Sequence, residues 1–587
     1  MFSKYISFSK TFAIAAPVAT ALGVHFGYSF FALIPIASVM ILVALVALDK
    51  IPVKDHPFYL FGITLALMYS ASMVGAHVVG SDMHQEFYVS NQTGPFGWHP
   101  TEDYGTQSGT SFVIGWFVPF TSWLLHIPII WVYKAILPLI FSFTPVVLYY
   151  TFKRQVSPKS AFLACIFFMA VPVATMEIVQ IGKAMVAELF LALMILVLVS
   201  DLGNKKKVAL VTSCLIIAFL AHYTVGLIAL AYIVVMLGMR TISIVYHKWI
   251  FSNNKIGAIG LLTVLIITSG VSYAYYSKAD NGIIVDVVKS VLPGYTSSKE
   301  YSIDSSTGEA YQGKLGYMDA QSPLVKTAVG LDFFDSTALG KFFRIIQYLT
   351  QLMIVVGSLY LLKNWKKYHF SQEFIAGIGA SFFLILACIF VPHFSNIINV
   401  TRFYHLALFF LAPVFVIGST VILRNWKNIA ILIVIYFAFT SGLVFESIQS
   451  DTIDRIDIPY SIGLSAERTG VVSNYTESDI DCAKWLKENS RETRIVGDYN
   501  GYRLMMGYIP LNPQLRKPNE QYQPGFDKLP DYPCYVLLLS WNTEHQQYIE
   551  DVREIWEASG TRESIPLPKF DYPIVYQQGD SIVYAKY

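Results

Sequence analysis

Long apolar runs recur along the whole chain, and they constrain its fold more than any other feature. A helix needs roughly 20 mostly apolar residues to cross a bilayer. Only 14% of the residues are charged, whereas soluble proteins carry about 25%. We therefore predict a polytopic α-helical membrane protein with about thirteen transmembrane helices. The predicted spans cover residues 11–28, 30–48, 58–79, 129–151, 161–176, 184–202, 207–222, 224–240, 256–276, 345–362, 373–392, 403–422 and 428–446.

Two apolar segments need a separate interpretation. The first apolar run, 11–28, has features of a signal peptide. Because a second apolar run begins at residue 30, we expect the first to be a retained signal-anchor helix. Residues 111–126 are apolar but short and broken by a proline, so we expect them to lie in the membrane interface.

The distribution of lysine and arginine predicts the orientation of these spans. With the N-terminus in the cytoplasm, the short outer loops carry only Lys183 and Arg402, and residues 80–110 have no lysine or arginine. This asymmetry follows the positive-inside rule, so we expect 80–110 and everything after 446 outside the cytoplasm. The inner loops carry Lys50, Lys54, Lys153, Arg154, Lys159, Lys205, Lys206, Lys207, Arg240, Lys248, Lys255, Lys363, Lys366, Lys367, Arg424 and Lys427.

This topology divides the chain into two predicted domains. Residues 1–446 form the transmembrane module, with large outer loops at 80–128 and 277–343. Residues 447–587 are long enough to form a small extracytoplasmic domain, and their pattern predicts an α/β fold.

Five segments carry this α/β prediction. "TRIVGD" and "CYVLLLSW" are typical of buried strands. Thr476, with Asp479 three residues later, predicts a capped helix start. "TEHQQYIEDVREIWEASG" predicts an amphipathic helix, and Gly579–Asp580 predicts a hairpin turn. No catalytic motif is visible here, so the simpler interpretation is a folded cap, and whether Cys482 and Cys534 pair stays open.

The segment "GSDMHQE" places three ionisable residues at the outer end of a predicted span. On a helix, Asp82 and Glu86 share one face; in an extended loop, His84 joins them on one side. Paired carboxylates at a low-dielectric boundary suit a general base or a metal site. The alternative is a solvated helix end. Binding of a divalent metal ion by Asp82, His84 and Glu86 also stays open.

The same loop adds aromatic and polar residues that suit a carbohydrate. Trp98 and His99 are followed by Glu102, Asp103 and Tyr104. Aromatic rings stack on sugar C–H groups, and polar tips bind hydroxyls. An interfacial aromatic belt explains the same residues equally well.

Lys183 and Arg402 indicate an anionic partner, because the other short outer loops lack cations. Arginine has a planar fork suited to phosphate, and lysine is a point charge. The alternatives are that both side chains snorkel to the interface, or that Glu177 and Glu188 pair with Lys183.

His222, Tyr223 and His393 also lie at predicted outer ends of spans, and we consider them for substrate binding. A histidine at a membrane edge is a functional candidate, although a hydrogen bond to a neighbouring helix is the equal alternative. A helical bundle could gather these residues around one outward-facing cavity.

Taken together, these features resemble the GT-C superfamily of integral-membrane glycosyltransferases. The resemblance rests on about a dozen spans, the acidic motif "GSDMHQE" in the first large outer loop, the Pro-broken segment after it and the soluble outer domain. The turn His222–Tyr223 and the late span with Arg402 and Pro413 add to it.

The resemblance implies a sugar transfer that uses a polyprenyl-phosphate carrier, usually with inversion, to a lipid, glycan or protein on the outer face of the cell membrane. By the resemblance, Asp82 acts as the base, with Glu86 second. Arg402 and Lys183 hold the carrier phosphate.

Some features depart from the superfamily pattern, and other classes stay open. There is no "WWD" motif in the C-terminal domain and no DxD pair in the loop. A flippase or transporter for a lipid-linked glycan, a glycan polymerase and a non-enzymatic scaffold are the alternatives. The net charge of +2 gives no indication of nucleic-acid binding.

Overall fold

The computed structural model describes most of the chain. The described residues are 8–100, 107–245, 256–279, 302–303, 310–311, 333–334, 337–364, 370–390, 394, 400–448, 459, 461–466, 474–490, 493–509, 522–526, 529–551 and 562–587. Most of the predicted loop 277–343 lies outside them, as do His393, Glu102, Asp103 and Tyr104.

The first part of the chain is a bundle of apolar helices, as the composition predicts. Its helices are α1 Phe8–His25, α2 Ser29–Ala47, α3 His56–Ser72, α4 Ser81–Phe96, α5 Val113–Leu125, α6 Ile129–Phe152, α7 Pro158–Met169, α8 Val173–Gln180, α9 Gly182–Val199, α10 Asn204–Ala221, α11 Tyr223–Val245, α12 Ala258–Ala279, α13 Ala338–Asn364, α14 Gln372–Phe390, α15 Val400–Leu423, α16 Trp426–Thr440 and α17 Leu443–Ser447.

The predicted count of about thirteen transmembrane helices is not confirmed. Within the described residues, eight helices are long and apolar enough to cross a membrane, or nine if α7 and α8, bent by 62°, form one broken span. A helix lies at every predicted position, but α3 has 17 residues and α16 only 15. The predicted span 207–222 lies in α10, which begins with three consecutive lysines.

The centre of the bundle is held by close packing of rings and glycines. The rings of Phe167 and Phe415 stack at 3.7 Å between centroids, which joins α7 to α15. Gly357 and Gly418 let α13 and α15 approach so closely that a Cβ on either would overlap the other's backbone. Small residues commonly permit such contacts between membrane helices.

The two ends of the bundle carry different contacts. One end, here called the Asp82 end, carries the starts of α4, α9 and α15 and the turn between α10 and α11. At the opposite end Lys159 pairs with Asp49 at 2.6 Å, and Arg154 pairs with Asp201 at 2.8 Å. The candidate site residues at the Asp82 end and the two ion pairs of the predicted inner loops therefore lie at separate ends of the described bundle.

The C-terminal part folds as an α/β unit with its own core. Its five-stranded sheet has the order β4-β3-β5-β9-β8, in which β3 pairs in parallel with β4 and β5. The strands are β3 Arg494–Gly497, β4 Tyr522–Pro524, β5 Cys534–Leu538, β8 Ile574–Gln578 and β9 Ser581–Lys586. The short pairs β1 Ser302–Ile303 with β2 Ala310–Tyr311, and β6 Gln547–Asp551 with β7 Arg562–Pro566, lie outside this sheet. The helices are α18 Ile462–Ser465, α19 Glu477–Asn489, α20 Tyr499–Met506 and α21 Ser540–His545.

Several local predictions for this unit are confirmed. Thr476 caps α19, because its hydroxyl accepts from the amide of Asp479 at 3.3 Å while Asp479 accepts from the amide of Thr476 at 2.8 Å. Both predicted strands are present, and β8 and β9 form the hairpin at Gly579–Asp580. The open question of the cysteines is answered for this structure: Cys482 and Cys534 are both free, and each is buried in a different apolar cluster.

The prediction of an amphipathic helix over residues 543–560 is wrong for the described residues after His545. α21 ends at His545, where Gln546 takes a left-handed conformation with φ 54°. Residues Gln547–Asp551 then form β6, and Tyr548 and Ile549 are buried. Pairing with β7 satisfies this backbone, which the spacing of apolar residues alone did not reveal. Residues 552–561 lie outside the described part.

The loop from α3 to α4 is held by a buried lysine and by the C-terminal unit. Lys134 donates to the carbonyls of Val74, Gly75 and His77 at 2.7–3.0 Å. The amide of Ala76 donates to the carbonyl of Tyr475 at 2.8 Å. These contacts fix the backbone that leads directly into α4.

Replacing Lys134 by methionine should destabilise the protein, because three carbonyls lose a charged donor. Each unsatisfied buried acceptor costs about 1–3 kcal/mol, so a clear fall in melting temperature in detergent is expected. Lys205→Met, at an exposed position, should change it little. An unchanged melting temperature for Lys134→Met would contradict this role.

Candidate functional site

The carboxylates of the loop motif lie on a helix. α4 begins after Gly80, whose φ of 95° is a backbone conformation that favours glycine. A Cβ on Gly80 would overlap the side chain of Gln180, so the start of α4 lies against the end of α8. Of the two geometries that the sequence left open, the helix is the observed one, and Asp82 and Glu86 share a face.

Glu86 is the buried anchor of this face. Its Oε2 accepts from the amide of Gly182 at 2.8 Å, and its Oε1 lies 3.7 Å from the Nζ of Lys183. Burial raises the pKa of the Glu86 carboxyl to about 7; Lys183 opposes that rise, and the nearby charge of Asp82 adds to it. Glu86 therefore joins α4 to the start of α9 and responds to the charge of Asp82.

Asp82 is the more accessible of the two carboxylates. It lies one turn before Glu86 and is half-buried, whereas the side chain of Glu86 is fully buried. A base must reach the proton that it removes, so Asp82 is the better placed of the pair to meet a substrate.

His84 faces away from the carboxylates. Its ring packs edge-on against His77 at 5.0 Å and against Tyr475 at 5.4 Å, at the contact with the C-terminal unit. Burial holds the pKa of His84 well below its usual range, and burial lowers that of His77 to about 3. The predicted grouping of His84 with Asp82 and Glu86 is therefore not observed, because the helix turns the imidazole to the other side.

No group of three or more His, Cys, Asp or Glu side chains with a geometry suited to a metal ion occurs among the described residues. His84 lies on the other side of α4 from Asp82 and Glu86, against His77 and Tyr475.

Lys183 and Arg402 are both present at the Asp82 end, each beside a carboxylate. Lys183 donates to Ser108 at 3.0 Å and pairs with Glu86. Arg402 donates through Nε to Glu177 at 3.2 Å, and Thr401 also donates to Glu177. Of the alternatives left open by the sequence, neither Glu177 nor Glu188 is the partner of Lys183.

His222 lies in the turn between α10 and α11, where the charges of both Lys183 and Arg402 act on it. Burial lowers the pKa of His222 well below its usual value, and the positive charges of Lys183 and Arg402 lower it further. The imidazole therefore stays neutral beside both cations. Tyr223 packs against the His222 ring and edge-on against Tyr276.

Trp98 is held by contacts within its own loop. The indole of Trp98 donates to the carbonyl of Gly109 at 3.0 Å, and its ring packs against Phe112 and over Gly115. This indole is part of the loop's own packing, whereas His99 is exposed. His393 lies outside the described residues.

Two members of the site were missed from the sequence, and Glu177 was considered with the wrong partner. Ser108 and the amide of Gly182 bind Lys183 and Glu86, and Glu177 binds Arg402. Their partners lie 75, 96 and 225 positions away along the chain. No local sequence pattern indicates such contacts. The one indication was that Gly182 immediately precedes Lys183, a residue that the sequence analysis had singled out.

Comparison with known proteins gives a partial family match. A family model described as "Predicted membrane protein (DUF2206)" matches residues 331–584. The match includes Arg402 and the C-terminal unit but not Asp82, Glu86 or Lys183. No curated protein sequence matches the chain.

Three solved structures are similar to large parts of this chain. The arabinofuranosyltransferase AftD from Mycobacteria has 11% identity and a TM-score of 0.40 over 75% of this chain, which spans only 29% of that protein. ArnT from Cupriavidus metallidurans, bound to undecaprenyl phosphate, has 13% identity and a TM-score of 0.44 over 90% of this chain and 97% of its own. The oligosaccharyltransferase from Archaeoglobus fulgidus has 12% identity and a TM-score of 0.41 over 81% of this chain and 64% of its own. All three TM-scores are below 0.5, so these similarities do not assign a function to this chain.

Gly182→Ala should disturb the junction of α4 and α9. A Cβ there would lie 2.8 Å from Oε2 of Glu86 and 2.7 Å from Leu137, and overpacking of this kind costs about 1–3 kcal/mol. Gly203→Ala is the matched control, because it precedes the next helix and a Cβ there meets nothing within 4 Å. Equal melting temperatures for the two variants would contradict the predicted crowding.

The raised pKa of Glu86 also predicts a pH dependence. Because the folded protein holds this proton more tightly than the unfolded chain, Glu86 favours the folded state at low pH, and this contribution is lost as pH rises through about 7. Glu86→Gln should reduce the fall in melting temperature between pH 5 and pH 8. A variant with the wild-type pH profile would exclude Glu86 as the titrating group.

Proposed function

We propose that this protein is a membrane glycosyltransferase that moves a sugar from a polyprenyl-phosphate carrier to an acceptor. The observation that carries the proposal is the arrangement at the Asp82 end. An accessible carboxylate lies beside a buried one, Lys183 pairs with the buried one, and His222 lies within the fields of both Lys183 and Arg402.

The proposed reaction is a single displacement. Asp82 accepts the proton of the acceptor hydroxyl, and the oxygen attacks the anomeric carbon of the donor sugar. The bond between that carbon and the phosphate oxygen breaks, and its electron pair leaves on the phosphate. One displacement inverts the anomeric centre. Glu86, paired with Lys183, positions the helix that presents Asp82.

Lys183 and Arg402 are proposed to stabilise the phosphate as it leaves. Charge that develops at a leaving group is stabilised best by pre-placed cations in a site of low dielectric. Glu177 occupies the Nε of Arg402, so the two terminal nitrogens are directed to the phosphate. His222, held neutral, offers a hydrogen bond without adding charge.

The geometry also supports a sidedness. The ion pairs of Lys159 and Arg154 lie at the end opposite Asp82, and basic residues favour the cytoplasmic side. We therefore place the Asp82 end and the C-terminal domain outside the cytoplasm, where the acceptor is a glycan, lipid or protein.

A flippase or transporter for a lipid-linked glycan is the second candidate. It is favoured by the 62° break between α7 and α8 and by the buried pair Glu188 and His405 within candidate spans. A transporter built from two repeats should show a matching break in its other half. The described residues contain one such bent pair, which favours the transferase.

Asp82→Asn should abolish transfer of a radiolabelled sugar from polyprenyl-phosphate donors in purified membranes. Loss of a general base typically costs about 10²–10⁴-fold in rate. Arg402→Lys should mainly raise the KM for the donor, because the fork is lost but the charge remains. Asp49→Asn, an exposed aspartate at the opposite end, is the control for the same chemical change.

Equal transfer by Asp82→Asn and wild type would remove Asp82 from catalysis. Movement of the labelled lipid across the bilayer without any sugar transfer would instead establish the transport function.

EDTA should leave transfer unchanged if the two cations carry the phosphate charge. Loss that Mg²⁺ restores would show that transfer requires a divalent ion and would contradict a phosphate charge carried by the two cations alone.

A further inference from the structure

Two ionisable residues form a buried pair inside the bundle, apart from the residues assigned to catalysis. The Oε2 of Glu188 on α9 lies 3.0 Å from the Nε2 of His405 on α15. Their side chains are 3% and 0% exposed, and both helices are candidate membrane spans. Ionisable residues at such positions are costly and usually functional.

Apolar rings surround this pair. The His405 ring lies on Phe168 at 4.4 Å and meets the edge of Phe409 at 6.1 Å. The Nδ1 of His405 has no hydrogen-bond partner in the described part of the chain. Its polar contact is therefore directed through Nε2 to Glu188, that is, from α15 to α9.

The pair joins the two helices that carry the cations of the site. Lys183 lies five residues before Glu188 on α9, and Arg402 lies three residues before His405 on α15. At 1.5 Å per residue these offsets are about 7 Å and about 4 Å along the helices. The hydrogen bond thus lies roughly one turn inside the bundle from both cations.

Neither ion pair of the two cations joins α9 to α15 directly. Lys183 is held to Glu86 on α4, and Arg402 to Glu177 on α8. A single phosphate can meet both cations only if α9 and α15 keep a fixed separation and register. A directional hydrogen bond between those helices supplies that constraint, and buried polar pairs are best attested in such registering roles.

We propose that Glu188 and His405 are positioning residues, which hold Lys183 and Arg402 at the separation needed to bind one phosphate of the lipid carrier. This inference rests on the proposed function, because it assigns a role within the same donor site. It predicts that breaking the hydrogen bond weakens phosphate binding, although neither residue touches the phosphate.

The test measures binding of undecaprenyl phosphate to the purified full-length protein in detergent. His405→Phe removes the hydrogen bond but keeps a ring beside Phe168, and it should raise the Kd by about tenfold. His405→Gln retains a donor toward Glu188 and should bind close to wild type. Glu188→Met removes the acceptor from the other side and should match His405→Phe.

Tyr232→Phe is the matched control. Tyr232 is fully buried and donates to the carbonyl of Leu406 on α15, but it comes from α11, not from α9. It should leave the Kd unchanged. In assays of sugar transfer, His405→Phe should raise the KM for the donor more than it lowers kcat. A general loosening of the helical bundle would not produce this difference.

The outcomes separate this inference from the proposed function. If wild type binds the carrier and His405→Phe and Glu188→Met bind equally well, the positioning role is overturned while the function stands. If Tyr232→Phe weakens binding as much, or His405→Gln fails to restore it, the specific hydrogen bond is excluded. If wild type itself binds no carrier, the proposed function fails and the positioning role fails with it.

Discussion

The site depends on the burial of one carboxylate, that of Glu86. A buried carboxylate is costly unless it is hydrogen-bonded or paired with a charge; here the amide of Gly182 donates to Oε2, while Oε1 accepts no hydrogen bond and lies 3.7 Å from the ammonium of Lys183. These two contacts fix α4 against the start of α9. They also determine where Asp82, one turn earlier, is presented. The buried Glu86 thus positions the accessible Asp82. The same ion pair orients Lys183, which is proposed to bind the phosphate.

The C-terminal unit supports this arrangement from the opposite face of α4. His77 and His84 pack against Tyr475, and the amide of Gln85 lies 3.8 Å from the sulfur of Met506 on α20. α20 follows β3, one of the parallel strands, so this contact links the sheet to α4 through α20. The folded cap expected from the sequence is therefore in direct contact with the candidate site.

Features with a local physical cause were predictable from the sequence, whereas those set by long-range packing were not. The capping of α19 by Thr476 and the hairpin at Gly579 depend on neighbouring residues, and both are confirmed. The carboxylate face of α4 follows from helical periodicity. The partner of Lys183 was not predictable, because Glu177 and Glu188 are near in sequence whereas Glu86 is near in space. Strand β6 was missed because its pairing with β7 overrides a helical pattern. The number of spans is not confirmed, because some of the apolar helices at the predicted positions are short.

The most direct test of the proposed function is the position of the phosphate in a cryo-EM structure of the protein with bound undecaprenyl phosphate. The account predicts density for the phosphate between Lys183 and Arg402, within hydrogen-bond distance of both and beside His222. Asp82 should then face the space next to the phosphate, where the sugar would lie. A phosphate bound at the opposite end of the bundle, or at this end but away from both cations, would contradict the account.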